Sequence, residues 1–123
     1  MKESFILRAK ENLAVAEVTF EAGQYNACAN RAYYAAFHAA IAALMHFGHP
    51  PNIDHAPVRA SFSKYLINEK KIFSSTMTND LAAIMDVRTK ADYDYGVVRK
   101  TAQAQLKTAR NFVSIVLSRI QKP

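Results

Sequence analysis

The stretch that decides the fold is residues 25–47, YNACANRAYYAAFHAAIAALMHF, which is rich in alanine, the residue with the highest helix propensity. It ends at residues 48–52, GHPPN, where two consecutive prolines prevent a helix from continuing. Small residues on both sides of such a helix let neighbouring helices approach closely. The spacing of its larger apolar residues predicts which face of the helix is buried in the core: Tyr33, Phe37, Ala40 and Leu44. The segment therefore predicts the central helix of a helical domain.

Helical spacing continues on both sides of this segment. Before it, a helix that begins at an N-cap, Ser4, and ends at Gly23 is predicted by one apolar stripe: Ile6, Ala9, Leu13, Ala16 and Phe20. After it, residues 56–68 predict a shorter helix with these side chains inward: Val58, Phe62, Tyr65 and Leu66. The next helix is predicted to be capped at about Thr78 and to carry Leu81, Ile84, Met85 and Arg88. A last helix over about residues 97–120 has an apolar face: Val98, Ala102, Leu106, Ala109, Phe112, Val113, Val116 and Ile120. The sequence thus predicts an all-α fold, a compact bundle of four main helices plus a short helix, in a single domain over residues 1–123.

Composition narrows the class of protein further. The chain has 123 residues and one cysteine, Cys28, which excludes a disulfide framework and a cysteine-based zinc site. Charges from Arg8 onward argue against a signal peptide, and no apolar run approaches the roughly 18 residues of a membrane span. We therefore expect a cytoplasmic protein without membrane association. The histidines around the two prolines lack the spacing of a zinc site, and there is no glycine-rich phosphate loop, so no metal and no cofactor are expected.

Charge is distributed unevenly along the chain. Residues 1–94 hold ten basic and ten acidic side chains, whereas residues 95–123 hold six basic side chains and no acidic one. The net charge of +6 thus lies in the last quarter of the chain, which suggests an anionic partner such as RNA, a nucleotide or an acidic protein. On a helical wheel four of these cations fall within about 100° of one another, away from the apolar face: Arg99, Lys100, Lys107 and Arg110. The alternative is a solvated helix face that only keeps the protein soluble.

A polar stripe interrupts the central helix. Arg31, Tyr34 and His38 fall within roughly 60° of one another on a helical wheel. A cation, a phenol and an imidazole are not what a packing face needs. They suit phosphate groups and bases, because arginine supplies positive charge while tyrosine and histidine can stack on bases. The alternative is a buried polar network that joins this helix to its neighbours.

A second polar segment, residues 88–95 with the sequence RTKADYDY, lies at the end of the next long helix. It combines the guanidinium of Arg88 with the carboxylate of Asp92 and with the phenols of Tyr93 and Tyr95. One interpretation of this segment is a structural ion pair between the arginine and a carboxylate, which would fix the end of the helix.

Taken together, the two polar segments resemble the HEPN superfamily, small helical-bundle proteins of prokaryotic toxin–antitoxin and defence systems. The first block is residues 23–25, GQY, followed by residues 30–40, NRAYYAAFHAA. The second block, about 50 residues later, is Arg88-x-x-x-Asp92-Tyr93. Two blocks in this order are typical of a short, uncharacterised HEPN branch, and the resemblance covers nearly the whole chain.

The resemblance implies a homodimer of helical bundles. In active HEPN ribonucleases an Arg-x(4–6)-His motif from each protomer meets in a cleft, where RNA is cleaved without metal. In one toxin group the motif extends to Arg-x4-His-x-Tyr, and a minimal nucleotidyltransferase partner silences the toxin by transferring AMP to the tyrosine. By this resemblance we expect a dimer that brings two copies of Arg88 close together.

At one position this chain departs from the active motif. Arg88 takes the arginine position and Tyr95 the final tyrosine position, whereas the histidine position holds Tyr93. A tyrosine with a pKa near 10 is only about one part in a thousand ionised at neutral pH and is a weak general base. Arg88 would have to lower the pKa of Tyr93, or His38 would have to replace it if the helices that carry His38 and Arg88 pack together. The candidate catalytic residues are therefore Arg88, Asp92, Tyr93 and His38.

Three functional hypotheses follow. The resemblance favours an RNA- or nucleotide-binding component of a toxin–antitoxin or defence module, with a minimal nucleotidyltransferase as partner and Tyr95 as the modified residue. The second hypothesis is an active, metal-independent HEPN ribonuclease toxin, and the third is a structural dimer without a ligand. The candidate binding residues for RNA or a nucleotide are Arg31, Tyr34, Arg99, Lys100, Lys107 and Arg110.

Overall fold

The computed structural model describes residues 2–49, 55–93 and 96–121, apart from the side chains of residues 55, 56 and 93. These residues form five α-helices: α1 Lys2–Glu21, α2 Tyr25–His46, α3 His55–Ser61, α4 Thr76–Tyr93 and α5 Arg99–Ile120. A π-helical segment, Phe62–Glu69, continues directly from α3. The described residues contain no strand, so the predicted all-α fold of four long helices and a shorter one is confirmed. None of the helices described is both long enough and apolar enough to cross a bilayer.

Helix α2 lies at the centre of the bundle, where it contacts α1, α4 and α5. Its predicted core side chains Tyr33, Phe37 and Leu44 are all buried. The alanines on its other sides are also buried, because a methyl group lets three neighbouring helices approach the same helix. Larger side chains from the surrounding elements complete the core: Phe5, Phe62, Leu66, Ile84, Phe112 and Val116.

Helices α1 and α2 both end at a glycine in the left-handed conformation. Gly23 has φ 75°, and the Gln24 N–H donates to the Thr19 carbonyl at 2.8 Å, which is a Schellman arrangement. The helix end predicted at Gly23 is confirmed. Gly48 has φ 86° and ends α2 in the same way, just before the two prolines. The turn at Gly23 sends the chain back along α1, so that α1 and α2 form an antiparallel pair.

Several predicted helix boundaries were wrong. Helix α1 already begins at Lys2, so Ser4 lies inside its first turn and is not the N-cap. Helix α4 begins at Thr76 rather than near Thr78, and the Ser74 hydroxyl accepts the Thr76 N–H at 3.3 Å. Val98 is the N-cap of α5 and is 67% exposed, so it does not belong to the buried face of that helix. Helix ends depend on one or two local hydrogen bonds that apolar periodicity does not report.

The short predicted helix over residues 56–68 differs from the structure in its second half. The chain there is π-helical, and the Lys70 N–H donates to the Tyr65 carbonyl, five residues earlier, at 2.9 Å. Phe62 and Leu66 are buried as predicted. Tyr65 is only partly buried, and its ring stacks on that of His49 with centroids 4.0 Å apart.

One buried polar side chain, Gln105 on α5, links three helices. Its Nε2 donates to the carbonyl of Ile84 on α4 at 2.9 Å and to that of Ala29 on α2 at 3.2 Å. Gln105 therefore fixes α4 against α2, and these are the two helices that carry the polar segments singled out in the sequence.

Candidate functional site

The two polar segments meet where α4 crosses α2. Arg88 of α4 donates from Nη2 to the Tyr34 hydroxyl at 3.4 Å. Its guanidinium carbon lies 5.3 Å from the centroid of the Tyr33 ring and 5.8 Å from that of Tyr34. The helices that carry His38 and Arg88 therefore pack together, which is the condition that a catalytic role of His38 requires.

A second arginine lies against the same phenol ring. The guanidinium carbon of Arg31 is 4.9 Å from the centroid of Tyr34. Arg31 also donates from Nη2 to the Asn30 Oδ1 at 2.6 Å and from Nη1 to the Asn12 Oδ1 at 2.9 Å. Its hydrogen-bond acceptors are thus two neutral amides, from α1 and α2, which leave its positive charge uncompensated.

Asn30 connects the two arginines. Its Nδ2 donates to the Asp92 carboxylate at 3.2 Å, and the Asp92 Oδ2 lies 3.0 Å from the Arg88 Nε. The contacts therefore close a ring that runs from Arg31 through Asn30, Asp92, Arg88 and Tyr34 back to Arg31. We call this ring, together with Asn12 and His38, the polar cluster.

The hydrogen bonds of Asn12 determine the tautomer of His38. Because Arg31 can only donate, the Asn12 atom it contacts must be the carbonyl oxygen, and the other atom must be the NH2 group. That NH2 group donates to the Arg8 carbonyl at 2.9 Å and lies 3.3 Å from Nδ1 of His38. Nδ1 of His38 is therefore the acceptor, and in the neutral ring the proton is on Nε2.

The polar cluster is partly open to solvent and carries net positive charge. The side chains of Arg88 and Asp92 are 21% and 26% exposed. Two guanidiniums face one carboxylate, and the buried Nε of Arg88 has no hydrogen-bond acceptor, since its contact with Asp92 lacks hydrogen-bond geometry. Burial raises the pKa of the adjacent Tyr33 to about 12, against the opposing effect of Arg88, so this phenol stays neutral at physiological pH.

Comparison with known proteins identifies the family. The chain matches the HEPN domain over residues 3–120. It is a HEPN-domain protein. Over 94 residues it is 36% identical to a protein of Methanocaldococcus jannaschii named "Putative toxin MJ0605", an alignment that covers 74% of this chain and 66% of that protein. Over 122 residues it is 31% identical to a UPF0332 protein of Archaeoglobus fulgidus, covering 95% of this chain and 93% of that protein.

Five of the eleven candidate site residues of this HEPN chain come together in the polar cluster. It contains Arg31, Tyr34 and His38 from the first predicted block and Arg88 and Asp92 from the second. The side chain of the predicted catalytic Tyr93 and the whole of Tyr95 lie outside the described residues. Two members were not anticipated, Asn12 and Asn30, because asparagine on a helix surface carries no signal until its partners are known.

The four cations of α5 form a separate surface of the HEPN domain. All four are exposed, as predicted. Arg99, Lys107 and Arg110 lie beside the C-terminal half of α1. Arg99 sits over the Phe20 ring at 5.2 Å, and Arg110 donates from both Nε and Nη2 to the Glu17 carboxylate at 3.1 and 3.0 Å. Within the described part of the chain, Lys100 and Lys107 are the two of these cations that form neither an ion pair nor a contact with an aromatic ring.

The histidines near the two prolines have other contacts in this structure. His46 lies 3.0 Å from the amine of Lys2, and His49 stacks on Tyr65. Within residues 2–49, 55–93 and 96–121, no group of three or more histidine, cysteine and acidic side chains is placed to hold a metal ion. The side chain of His55 is not among those described.

Proposed function

We propose that this HEPN-domain chain is the RNA- or nucleotide-binding component of a toxin–antitoxin or defence module, and that the polar cluster is its ligand site. One observation carries the proposal: the guanidiniums of Arg31 and Arg88 both lie against the ring of Tyr34. Two such charges repel each other, and a phosphate group placed between them relieves the repulsion.

The comparisons support the biological setting of the proposal. The HEPN match spans nearly the whole chain, and the relative from Methanocaldococcus carries the word toxin in its name. We infer a homodimer in which two polar clusters line one cleft, so that a bound polyanion is shared by two copies of Arg88. Analytical ultracentrifugation at micromolar concentration tests this inference, and a monomer there contradicts it.

RNA binding is tested by fluorescence anisotropy with a labelled single-stranded RNA at several salt concentrations. Arg88→Gln should lower the affinity about tenfold or more and reduce the salt dependence by about the 0.7 expected for one phosphate contact. Arg119→Gln is the matched control, since it removes the same charge from an exposed position near the end of α5. Equal losses in the two variants would refute a specific site at the polar cluster.

The α5 cations need a separate test, because Arg110 is already paired with Glu17. If they form part of the RNA surface, Lys107→Glu combined with Arg110→Glu weakens RNA binding strongly and leaves the fold intact. Glu17→Ala, which releases Arg110 from its partner, should then strengthen binding. Unchanged affinity in both variants would restrict the RNA site to the polar cluster.

A second candidate function, a metal-independent ribonuclease, is favoured by the position of His38. Its ring lies 6.0 Å from that of Tyr34, which accepts a hydrogen bond from Arg88. In the neutral ring the Nδ1 lone pair accepts from Asn12, so the group available to a ligand is Nε2–H, which can donate a hydrogen bond to a phosphate oxygen. As the imidazolium, His38 would be able to act as a general acid. RNA cleavage that persists in a metal chelator and is lost in His38→Gln would establish this activity. RNA that is bound but not cleaved would leave the binding function alone.

We propose a minimal nucleotidyltransferase as partner and Tyr95 as the residue it modifies. The Tyr95 hydroxyl oxygen would attack the α-phosphate of ATP, with pyrophosphate leaving and the phenolic proton passing to solvent. Tyr95 lies outside the described residues, but the next two are anchored beside α2. Gly96 packs against the Asn26 side chain, which accepts the Val97 N–H at 2.6 Å.

Co-expression with a minimal nucleotidyltransferase, followed by intact-mass measurement, tests the modification. The expected result is a mass increase of one AMP that is absent in Tyr95→Phe and retained in Tyr25→Phe. A chain of unchanged mass, or an adduct that survives Tyr95→Phe, would refute Tyr95 as the acceptor.

A further inference from the structure

A third arginine, Arg59 on α3, lies beside the polar cluster and is partly buried. It lines a hollow on the face of the bundle between α2, α3 and α4. The other residues of the hollow are Tyr33, Phe37, Val58, Leu81 and Met85. These side chains are uncharged and mostly apolar. A guanidinium among them loses hydration without gaining an ionic partner, which is unfavourable unless another group compensates its charge.

The contacts of Arg59 do not supply that compensation. In the described part of the chain, its one hydrogen-bond acceptor is the sulfur of Met85, 3.7 Å from Nη1. A thioether sulfur is a weak acceptor, whereas a guanidinium carries five N–H donors. No carboxylate among the described residues forms an ion pair with Arg59. Within the described residues its other N–H donors therefore face no acceptor, and an anion at this surface can accept from them.

The size of the hollow limits what can enter it. Its volume is about 10 Å³, enough for a single water-sized group. One oxygen of a phosphate group meets this limit, whereas a sugar or a base does not. The hollow therefore suits a phosphate whose remaining atoms stay at the surface, with Arg59 as the donor at the contact.

Tyr33 joins this hollow to the polar cluster. It lines the hollow, and its ring also lies 5.3 Å from the guanidinium carbon of Arg88. The charges of Arg88 and Arg59 both lower the pKa of the Tyr33 phenol, although burial has the larger and opposite effect. Arg31, Arg88 and Arg59 are thus arranged along two consecutive tyrosines, Tyr34 and Tyr33. Among the residues that the structure describes, Asp92 is the one carboxylate that forms an ion pair with any of these arginines.

We propose that Arg59 is a third phosphate-binding arginine, and that a bound RNA strand runs from the Arg31 side of the polar cluster past Arg88 to Arg59 on α3. The inference deepens the proposed function and rests on it. It assigns the path that the bound strand follows over the surface, and it places a phosphate contact on α3, a helix that neither sequence block includes.

The first test is the salt dependence of binding to a labelled single-stranded RNA. Arg59→Gln should weaken binding severalfold and reduce the salt slope by about 0.7, the value for one phosphate contact on a single strand. Arg59→Lys retains the charge and should restore most of the slope, and circular dichroism verifies that both variants fold. Arg119→Gln should leave the slope nearly unchanged. Equal slopes for wild type and Arg59→Gln would overturn the inference and leave the proposed function intact.

The second test does not depend on RNA. In ¹⁵N spectra of the wild-type protein, the Nε–Hε signal of Arg59 is assigned by its loss in Arg59→Lys, and inorganic phosphate is then added. A saturable shift of this signal supports the phosphate site even if the protein binds no RNA, an outcome that would refute the proposed function alone. No shift with phosphate and no effect of Arg59→Gln on RNA binding would overturn the inference.

Discussion

Replacing Gln105 should show how strongly the bundle depends on one buried amide. Gln105→Met keeps the length of the side chain but removes the two hydrogen bonds, of 2.9 and 3.2 Å, to the carbonyls of Ile84 and Ala29. Each such bond contributes about 1 kcal/mol net, and both carbonyls lie inside helices, where they also accept backbone N–H groups. The added apolar burial offsets part of the loss, so the free energy of unfolding should fall by about 1–2 kcal/mol.

Gln105→Glu should cost considerably more at neutral pH. The carboxylate would face two carbonyl oxygens in a buried position, so its pKa in the folded state would lie above the unfolded value of about 4.3. The folded state then binds the proton more tightly than the unfolded state does. The destabilisation is therefore complete above the folded-state pKa and disappears as the pH falls through it towards about 4.3. At neutral pH we expect a loss of about 3 kcal/mol or more, because an unpaired charge is buried.

Urea unfolding followed by circular dichroism, at neutral pH and near pH 4, measures both variants of Gln105. The expected order of stability at neutral pH is wild type, then Met, then Glu, with the difference between Met and Glu shrinking in acid. A Met variant as stable as wild type would show that the amide does not link the helices. Equal stability of the two variants at neutral pH would show that position 105 is hydrated.

Three further predictions concern other parts of the bundle. The pKa of Tyr33 is about 12 in the folded state against an ordinary 10.0, so the unfolded chain loses this proton first and stability falls between about pH 10 and pH 12. In urea unfolding, Tyr33→Phe should abolish this part of the loss. Gly96→Ala should lower the free energy of unfolding by more than about 1 kcal/mol, because φ is 97° and the new Cβ would lie 3.1 Å from the Asn26 side chain. Thermal melting measures this loss, and an unchanged melting temperature would show that the turn can rearrange. A double-mutant cycle on Glu17 and Arg110, both about half exposed, should give a coupling of about 0.2–1 kcal/mol that declines with salt, and a larger, salt-independent value would contradict a surface ion pair.

The sequence predicted the helices well, because apolar periodicity reports which face of a helix is buried. Tyr33, Phe37 and Leu44 were assigned to the core on spacing alone, and all three are buried. The stripe of Arg31, Tyr34 and His38 was separated from that core by the same argument. Spacing on one helix cannot show what faces it, however. The polar network that was the alternative interpretation of this stripe does form, and ligand binding by the stripe stays a prediction.

Several features that the sequence did not predict depend on residues far apart in the chain. Asn12 joins the polar cluster from α1, and Arg110 meets Glu17, 93 positions away. The π-helical segment also has no local signal, since Phe62 and Leu66 are spaced as in an ordinary α-helix. Arg59 was not singled out because a lone arginine on a short helix becomes informative only when its neighbours are known to offer no carboxylate.

The surplus of positive charge along Tyr33 and Tyr34 has a consequence for the lifetime of the protein in a cell. Guanidiniums held together without enough carboxylates repel one another in the folded state and disperse on unfolding, so the empty protein is less stable than its apolar core alone would make it. An anion that binds there raises the free energy of unfolding, by about 2.7 kcal/mol at a concentration one hundred times its dissociation constant. Differences of about 1–2 kcal/mol change the steady-state abundance of a protein several-fold, because proteases act on unfolded chains. Turnover of this protein is therefore expected to slow when its ligand accumulates.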